Sequence, residues 1–342
     1  MTDSFVDLVD LASERLGSAV VSANDEFFAP KENLIRREAP VWIEGKYTER
    51  GKWMDGWETR RRRDAGDHDW CIVRLGVAGI VRGVDVNTAF FRGNYPASCA
   101  IDAWTGEAPP PAAGAHGAVG SGADERGSWR ELLPRTALKG DDHNLFATSG
   151  APAATYLRLR IFPDGGVARL RVYGDVAADW TRLRRRGDVD LAAVEHGGFV
   201  VACSDMFFGS RHNLIMAGDA THMGDGWETK RRRGPGHDWT IVRLGTAGTI
   251  RRVEVDTRHF KGNAPGACSL EGVSGADDDI LRMLDGPADD GWRALLPRTP
   301  LEPHWRNTFE DDVLAIGDVT HVRFSIYPDG GVGRLRLFGR PA

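Results

Sequence analysis

Apolar and charged residues alternate along several segments of this chain, which is the pattern of a β-strand with one buried face. The alternation is clearest at Tyr156–Phe162, and it resumes at Val167–Tyr173 after the turn-forming sequence Pro163–Gly166. These segments predict a β-hairpin, and Val322–Phe338 predicts a second copy of that hairpin.

Further strands are predicted at Trp70–Leu75 and Val81–Thr88, separated by Gly76–Gly79. Helical patterns are short and cover Phe5–Leu16, Asp188–Glu195 and Asp277–Leu284. Many short strands with Gly and Pro between them predict an all-β chain of the antiparallel sandwich type. Among sandwiches, a jelly roll suits the long loops and the late hairpin.

The chain repeats itself over nearly its whole length. Asp55–Arg63 returns as Asp225–Arg233 with eight of nine residues identical, and His68–Cys99 returns as His237–Cys268 with 19 of 32 shared. A period this long indicates two domains rather than a solenoid. The predicted domains are residues 1–180 and 188–342, joined by a basic linker at 181–187. The first repeat has two extra stretches, which are Arg36–Trp53 and the Pro/Ala/Gly-rich Ala108–Gly122.

Composition narrows the classes of function. The 342 residues carry a net charge of −5, so the arginine-rich tracts Arg60–Arg63 and Lys230–Arg233 have no global basic field to support nucleic-acid binding. We interpret them as local ion-pair and anion-binding residues. The chain has no apolar run long enough to predict a membrane span. Its N-terminus lacks the features of a secretion signal, so a cytoplasmic location is expected.

Two repeated pairs are candidates for acid–base catalysis. Glu58 and Glu228 lie in Gly-Trp-Glu-Thr, close in sequence to His68 and His237. A carboxylate and an imidazole beside a Trp-lined surface can act as general acid and base. The structural alternative is an ion pair between each glutamate and a neighbouring arginine.

The repeated cations and amides are candidates for substrate binding. Arg74 and Arg243 lie among apolar neighbours, where an arginine must meet an internal carboxylate or face a ligand carboxylate. The two tracts add Arg60 and Lys230 as anion-binding candidates. The amides of Asn94 and Asn263 can hydrogen-bond a ureido group, although Gly-Asn is also a common sequence in turns.

The sequence identifies no certain cofactor. His68 and His237 are each followed by an aspartate, and this pair of residue types suits several divalent ions or a simple turn at the start of a strand. A divalent metal therefore stays an open alternative, with its ligands unknown.

Three motifs resemble the allantoicase family of purine catabolism. They are Lys52–Arg61, the His-Asp-Trp-x-Ile-Val-Arg-Leu-Gly run, and Thr-x-x-Phe-x-Gly-Asn-x-Pro, and the resemblance covers essentially the full chain. It implies two tandem galactose-binding-like jelly-roll sandwiches, hydrolysis of allantoate to ureidoglycolate and urea, and assembly into a homo-oligomer. It transfers no catalytic residue, so the candidates above rest on their own chemistry.

Other functions compete with this interpretation. A non-catalytic tandem ligand-binding β-sandwich module is the main alternative, because fold alone does not decide function. A related ureide hydrolase and a purely structural oligomer are weaker alternatives. The repeated ionisable residues favour an enzyme.

Overall fold

The fold is described from a computed structural model of the chain. It describes residues 5–63, 66–106, 129–149, 152–283 and 291–342. The chain divides into two compact units at residues 177 and 178, and each unit is a β-structure in its own right. The all-β class and the tandem arrangement that the sequence predicts are confirmed.

The described strands of the first unit follow one another closely. They are β1 (Val9–Asp10), β2 (Ala19–Ala23), β3 (Tyr47–Thr48), β4 (Gly51–Lys52), β5 (Trp57–Glu58), β6 (Asp69–Asn87), β7 (Ser98–Trp104), β8 (Trp129–Ala137), β9 (His143–Ala147), β10 (Ala154–Phe162), β11 (Gly166–Val167) and β12 (Arg169–Val176).

Strand β6 organises this unit because its two halves pair with different neighbours. Its first half, Asp69–Arg74, pairs with β2 and β10, and β10 continues the sheet through β7 to β8. Its second half, up to Asn87, pairs with β9 and β12, and β12 pairs with β1. All of these pairings are antiparallel. Buried residues of both halves, such as Val73 and Val84, belong to one hydrophobic core. The two groups of strands therefore close over a single core as a sandwich.

The second unit repeats this arrangement. Its described strands are β13 (Val189–Asp190), β14 (Phe199–Cys203), β15 (Trp227–Glu228), β16 (Asp238–Asp256), β17 (Ala267–Val273), β18 (Arg293–Pro300), β19 (Arg306–Phe309), β20 (Val319–Tyr327), β21 (Gly331–Val332) and β22 (Arg334–Pro341). Strand β16 takes the place of β6, with β14 and β20 on its first half and β19 and β22 on its second.

Two strand predictions were wrong for one reason. Trp70–Leu75 and Val81–Thr88 are not separate strands, because β6 runs without interruption through Gly76–Gly79. Nor do Tyr156–Phe162 and Val167–Tyr173 form a hairpin, because β6 lies between β10 and β12 in the strand order. Pro163–Gly166 therefore connects strands that pair with different halves of β6.

Helices are few and short. The α-helices are α1 (Trp180–Arg184) and α2 (Asp277–Arg282), and the 3₁₀ helices are Phe5–Asp7, Glu14–Leu16, Lys31–Ile35, Val194–His196, Arg211–Ile215 and Met223–Asp225. Helix α2 confirms the prediction at Asp277, whereas Leu284 lies outside the described residues. Helix α1 occupies most of the interval that the sequence predicts as a linker.

The other two helix predictions were wrong. Phe5–Leu16 is broken by β1, whose Asp10 carboxylate accepts hydrogen bonds from the backbone of Ala12 and of Val172 on β12. Asp188–Glu195 is broken by β13 in the same way, through Asp190. In both places an aspartate, half-buried at Asp10 and buried at Asp190, ties the segment to the sheet, and that contact outweighs local helix propensity.

A buried ion pair fastens the segment that precedes β5. The Arg169 guanidinium, 2% exposed, donates to both carboxylate oxygens of Asp55 at 3.2 and 2.9 Å. It also donates to the backbone carbonyls of Asp55 and Glu38, at 3.2 and 2.9 Å. In the second unit, Arg334 donates to the Asp225 carboxylate at 3.3 Å. A buried arginine persists only when its donors are satisfied, so each pair holds its loop in one place.

We expect Asp55→Ala to lower the free energy of unfolding by about 3–5 kcal/mol, because it leaves the Arg169 charge buried without its partner. Urea denaturation followed by tryptophan fluorescence measures the loss. The matched control is Asp175→Ala, which breaks an Arg82–Asp175 pair whose side chains are 46% and 41% exposed. This control should cost about 0–1 kcal/mol. Equal losses in the two variants would contradict a special role for the buried pair.

Candidate active site

The site forms where three segments meet at Glu58. Strand β5 pairs with β11, and this register places Glu58 opposite Gly166. On the other side, the backbone of Glu58 exchanges hydrogen bonds with Ala29 at 3.2 and 3.3 Å. Gly166 in turn donates its N–H to the carbonyl of Asn94 at 2.8 Å. Backbone pairing alone therefore brings the loop that carries Asn94 to the glutamate.

Residues next to Glu58 make its position rigid. Trp57 is fully buried, and its indole N–H donates to the carbonyl of Asp25 at 2.8 Å. A side chain at Gly56 would place a Cβ 2.5 Å from the carbonyl oxygen of Val167, so only glycine permits this approach. Thr59 and Gly165 exchange backbone and hydroxyl hydrogen bonds at 3.1 Å. These contacts explain why Gly-Trp-Glu-Thr is repeated as a block.

Glu58 is a buried carboxyl group with an amide as its partner. The side chain is 8% exposed, and Asn94 Nδ2 donates to Glu58 Oε1 at 2.7 Å. Burial raises the pKa of Glu58, and the hydrogen bond from Asn94 offsets part of that rise. The arginine ion pair considered as an alternative is not formed. The structure instead brings together two of the predicted site residues, Glu58 and Asn94.

Along the arginine tract, every second side chain is paired with an aspartate. Arg60 Nε binds Asp25 at 2.7 Å, and the guanidinium of Arg62 binds Asp69. Asp164, which follows cis-Pro163, accepts the backbone N–H of Arg62 at 2.8 Å and so fixes the tract. Arg61 and Arg63 have no ion-pair or hydrogen-bond partner among the described residues. The charges available to a ligand are therefore those of Arg61 and Arg63, whereas Arg60 is already paired.

These groups surround one cavity of about 720 Å³. Its walls include Glu58, Asn94, Arg61, Arg63, Phe28 and Tyr95. Guanidinium groups suit a carboxylate ligand, an amide suits a ureido group, and a buried carboxyl group suits proton transfer. The cavity thus combines groups that can bind an anion, hydrogen-bond an amide-like ligand and transfer a proton.

The histidines do not join the glutamates. The partner of His68 Nδ1 is Asp67 at 2.5 Å, and the His68 ring packs on Phe162 with centroids 5.3 Å apart. The His237 ring packs on Tyr327 at 4.7 Å. Burial lowers the pKa of His237, and the nearby Arg323 and Arg232 lower it further. The structure therefore gives no direct contact through which either imidazole could exchange a proton with its glutamate.

Arg74 is not part of the cavity wall, and Arg243 is paired within its own unit. Arg74 is five positions along β6 from Asp69, is exposed, and donates to the carbonyl of Gly17 at 2.9 Å. Arg243 donates to Asp277 on helix α2 at 2.7 Å. Their repeated context reflects their equivalent places on β6 and β16, where each bonds a local acceptor. The sequence could not distinguish these partners from a ligand.

The second unit reproduces the polar contacts of the first. Asn263 Nδ2 donates to Glu228 Oε1 at 2.6 Å, and Lys230 Nζ lies 3.5 Å from the Asp205 carboxylate. Asp329 accepts the backbone N–H of Arg232 at 2.8 Å. Glu228, however, is only half-buried. The two sites therefore share the same hydrogen-bonded polar groups, but they differ in how far the glutamate is shielded from solvent.

Several residues of the cavity were missed from sequence. Asp164 was interpreted only as a turn residue, although its carboxylate orients the tract. Phe28 and Tyr95 were not selected, because an aromatic residue in a loop gives no signal of the wall it will form. Asp25 and Asp205 occupy equivalent positions in the two repeats, and each binds the first cation of its tract, Arg60 or Lys230.

Metal and membrane features can be stated only for the described ranges. Within them, no three His, Cys, Asp or Glu residues are grouped as potential ligands of a metal ion. Over the same ranges, none of the helices has the length and apolar character that crossing a membrane requires.

Comparison with known proteins gives consistent matches. A family model described as the allantoicase repeat matches residues 9–177 and again 189–342. A "Probable allantoicase" of Pseudomonas paraeruginosa is 48% identical over 334 residues, covering 97% of this chain and 96% of its own length. One of Photobacterium profundum is 46% identical, covering 98% and 97%. The crystal structure of allantoicase from Saccharomyces cerevisiae matches with a TM-score of 0.76 at 35% identity, covering 97% of this chain and 92% of that one.

We expect Asn94→Leu to raise the pKa of Glu58 further. Leucine has nearly the shape of asparagine, so the carboxyl group stays buried while it loses the donor that favours its charged form. Carbon-13 NMR of the glutamate carboxyl signals, assigned with Glu58→Gln, measures the titration. An unchanged or lower pKa in a folded variant would contradict the contact as described.

Proposed function

Because the chain belongs to the allantoicase family, we propose that the Glu58 cavity hydrolyses allantoate to ureidoglycolate and urea. The observation that carries this proposal is one buried carboxyl group, hydrogen-bonded to an amide, in a cavity that also contains two guanidinium groups without an ion-pair partner among the described residues. The tandem ligand-binding module is not favoured, because the relatives that cover nearly the whole chain are named allantoicases.

The substrate presents three features that the cavity can address. Allantoate carries a carboxylate and two ureido groups on a single carbon. Arg61 and Arg63 hold the carboxylate, since guanidinium groups bind carboxylates with geometric as well as electrostatic preference. Asn94 hydrogen-bonds one ureido group, because its amide offers both a donor and an acceptor.

Glu58 is the group that transfers a proton to the leaving ureido nitrogen. Burial keeps its carboxyl group protonated to a higher pH than usual, so it can donate to the ureido nitrogen as the C–N bond breaks. The carboxylate that remains accepts a proton from water, whose oxygen bonds to the same carbon. One C–N and one O–H bond break, one C–O and one N–H bond form, and Glu58 returns to its starting state.

Other properties are proposed from the sequence alone. We propose a homo-oligomeric, cytoplasmic enzyme whose functional repeats are residues 1–180 and 188–342, joined by residues 181–187. The mechanism above uses only groups of this chain, and a chelator arm in each assay below tests whether a divalent metal also participates.

We expect Glu58→Gln to lower kcat for urea release by about 10²–10⁴-fold, since glutamine keeps the shape but cannot transfer a proton. In the unmutated enzyme, kcat/KM should fall as pH rises through the folded-state pKa of Glu58, because the proton-donating form is lost. That limb should lie above the ordinary glutamate range and be absent from the variant. Urea assays across pH, with ureidoglycolate identified by NMR, provide the measurement. Full activity of a folded Glu58→Gln protein would refute the assignment.

We expect the double variant Arg61→Ala/Arg63→Ala to raise KM for allantoate by at least tenfold, because the substrate carboxylate loses its cations. Steady-state kinetics measure the change. The matched control is Arg82→Ala, which removes a half-exposed arginine paired with Asp175 on another part of the unit. A KM equal to that of the control would place the carboxylate elsewhere.

A further inference from the structure

The second repeat retains the hydrogen-bonded polar groups of the first site, here called the polar floor, at nearly the same distances. The asparagine–glutamate contact measures 2.6 Å at Asn263–Glu228 against 2.7 Å at Asn94–Glu58. The aspartate that fixes the basic tract accepts a backbone N–H from the tract at 2.8 Å in both units. Packing alone does not require the second repeat to keep this set of polar contacts. The polar floor of the second repeat therefore needs its own explanation.

The cations of this second floor are arranged like those of the first. Lys230 pairs with Asp205, and the guanidinium of Arg232 pairs with Asp238. Arg231 and Arg233 are exposed and have no hydrogen-bond or ion-pair partner in the part of the chain that the structure describes. Two exposed guanidinium groups therefore follow the glutamate of the carboxyl–amide pair within five residues here as well, as Arg61 and Arg63 follow Glu58.

The walls of the two sites differ because of the stretch that only the first repeat has. Leu34 and Asp55 lie 21 positions apart, whereas their counterparts Leu214 and Asp225 lie 11 apart. In the first repeat, the longer stretch contains strands β3 and β4, and its Trp42 and Lys52 line a cavity of about 480 Å³ that reaches Asn94.

Without this stretch, the second site is open. Phe28 is half-buried near Gly51 of the inserted hairpin, whereas its counterpart Phe208 is 62% exposed. Met223, 47% exposed, lies 3.9 Å from the Asn263 amide.

A second difference removes a ring from the wall. Tyr95 lines the Glu58 cavity and packs against the core of the first unit. The residue that follows Asn263 is Ala264. The loss of this ring and of the hairpin leaves Glu228 half-buried, whereas Glu58 is 8% exposed.

Enclosure affects binding and chemistry differently. Cations and hydrogen-bond donors hold an anion at an open surface as well as in a cavity, although more weakly. Proton transfer to a departing nitrogen is favoured where the acid and the reacting groups are enclosed and kept from water. The second repeat has the groups for binding but lacks the enclosure for catalysis.

We propose that the second repeat binds a carboxylate-bearing ureide at Glu228, Asn263, Arg231 and Arg233 without hydrolysing it, and that hydrolysis is confined to the first repeat. This inference rests on the proposed function, because the ligand class is that of the proposed substrate.

Binding stoichiometry tests the second site. The full chain carrying Glu58→Gln leaves allantoate intact during isothermal titration calorimetry, and it should bind two allantoates per chain. Adding Arg231→Ala/Arg233→Ala should remove one of them, and adding Arg61→Ala/Arg63→Ala instead should remove the other. All four arginines are exposed, so circular dichroism should confirm unchanged folds. A single allantoate per chain that is insensitive to the Arg231/Arg233 change would overturn the second site.

Kinetics test the confinement of chemistry. The loss of kcat from Glu58→Gln should exceed the loss from Glu228→Gln by at least tenfold. Equal losses would mean that both repeats catalyse, and a larger loss from Glu228→Gln would reverse the assignment. If the unmutated protein hydrolyses no allantoate, the proposed function fails. In that case, titration of the unmutated chain still decides whether the second repeat binds the anion.

Discussion

The buried arginine–aspartate pair is the constraint on which the site depends. Arg169 begins the strand that pairs with the second half of β6, and its guanidinium holds Asp55, three residues before Glu58. Because this charge is buried, its donors must be satisfied, which leaves the Asp55–Glu58 segment one position against the sandwich. A carboxyl group whose pKa is raised by burial needs such an anchor, since a loop free to swing outward would expose Glu58 to water.

The buried arginine–aspartate pair also explains why polar residues of this segment recur in the second repeat. Asp225 and Arg334 reproduce the pair in the second unit, and Gly226 again approaches the carbonyl of Val332 too closely for a side chain. Repetition of the Asp-Gly part of this motif is therefore a structural requirement, imposed by a buried charge and a close backbone contact. Only the enclosure of the glutamate, which this motif does not determine, separates one repeat from the other.

Sequence predicts the parts of this molecule that depend on short-range pattern. Alternation along Tyr156–Phe162 identified a strand, and the motifs identified the family. Prediction from sequence failed where the interacting residues lie far apart along the chain. Arg169 lies 114 residues from Asp55, and the predicted hairpin was wrong because β6 intervenes between β10 and β12. Within the site, the contact between Glu58 and Asn94 follows from the β5–β11 pairing, which the sequence alone does not reveal.

The basic tract illustrates how one element serves both stability and binding. Every second side chain is paired, with Asp25 neutralising Arg60 and Asp69 neutralising Arg62. The charges of the other two arginines face the cavity. A tract of four arginines would repel itself if every member faced solvent on one side. Pairing every second one relieves that repulsion and fixes the direction of the others. The same aspartates that make the loop stable thereby make its remaining cations ready for an anion, with little ordering left to occur on binding.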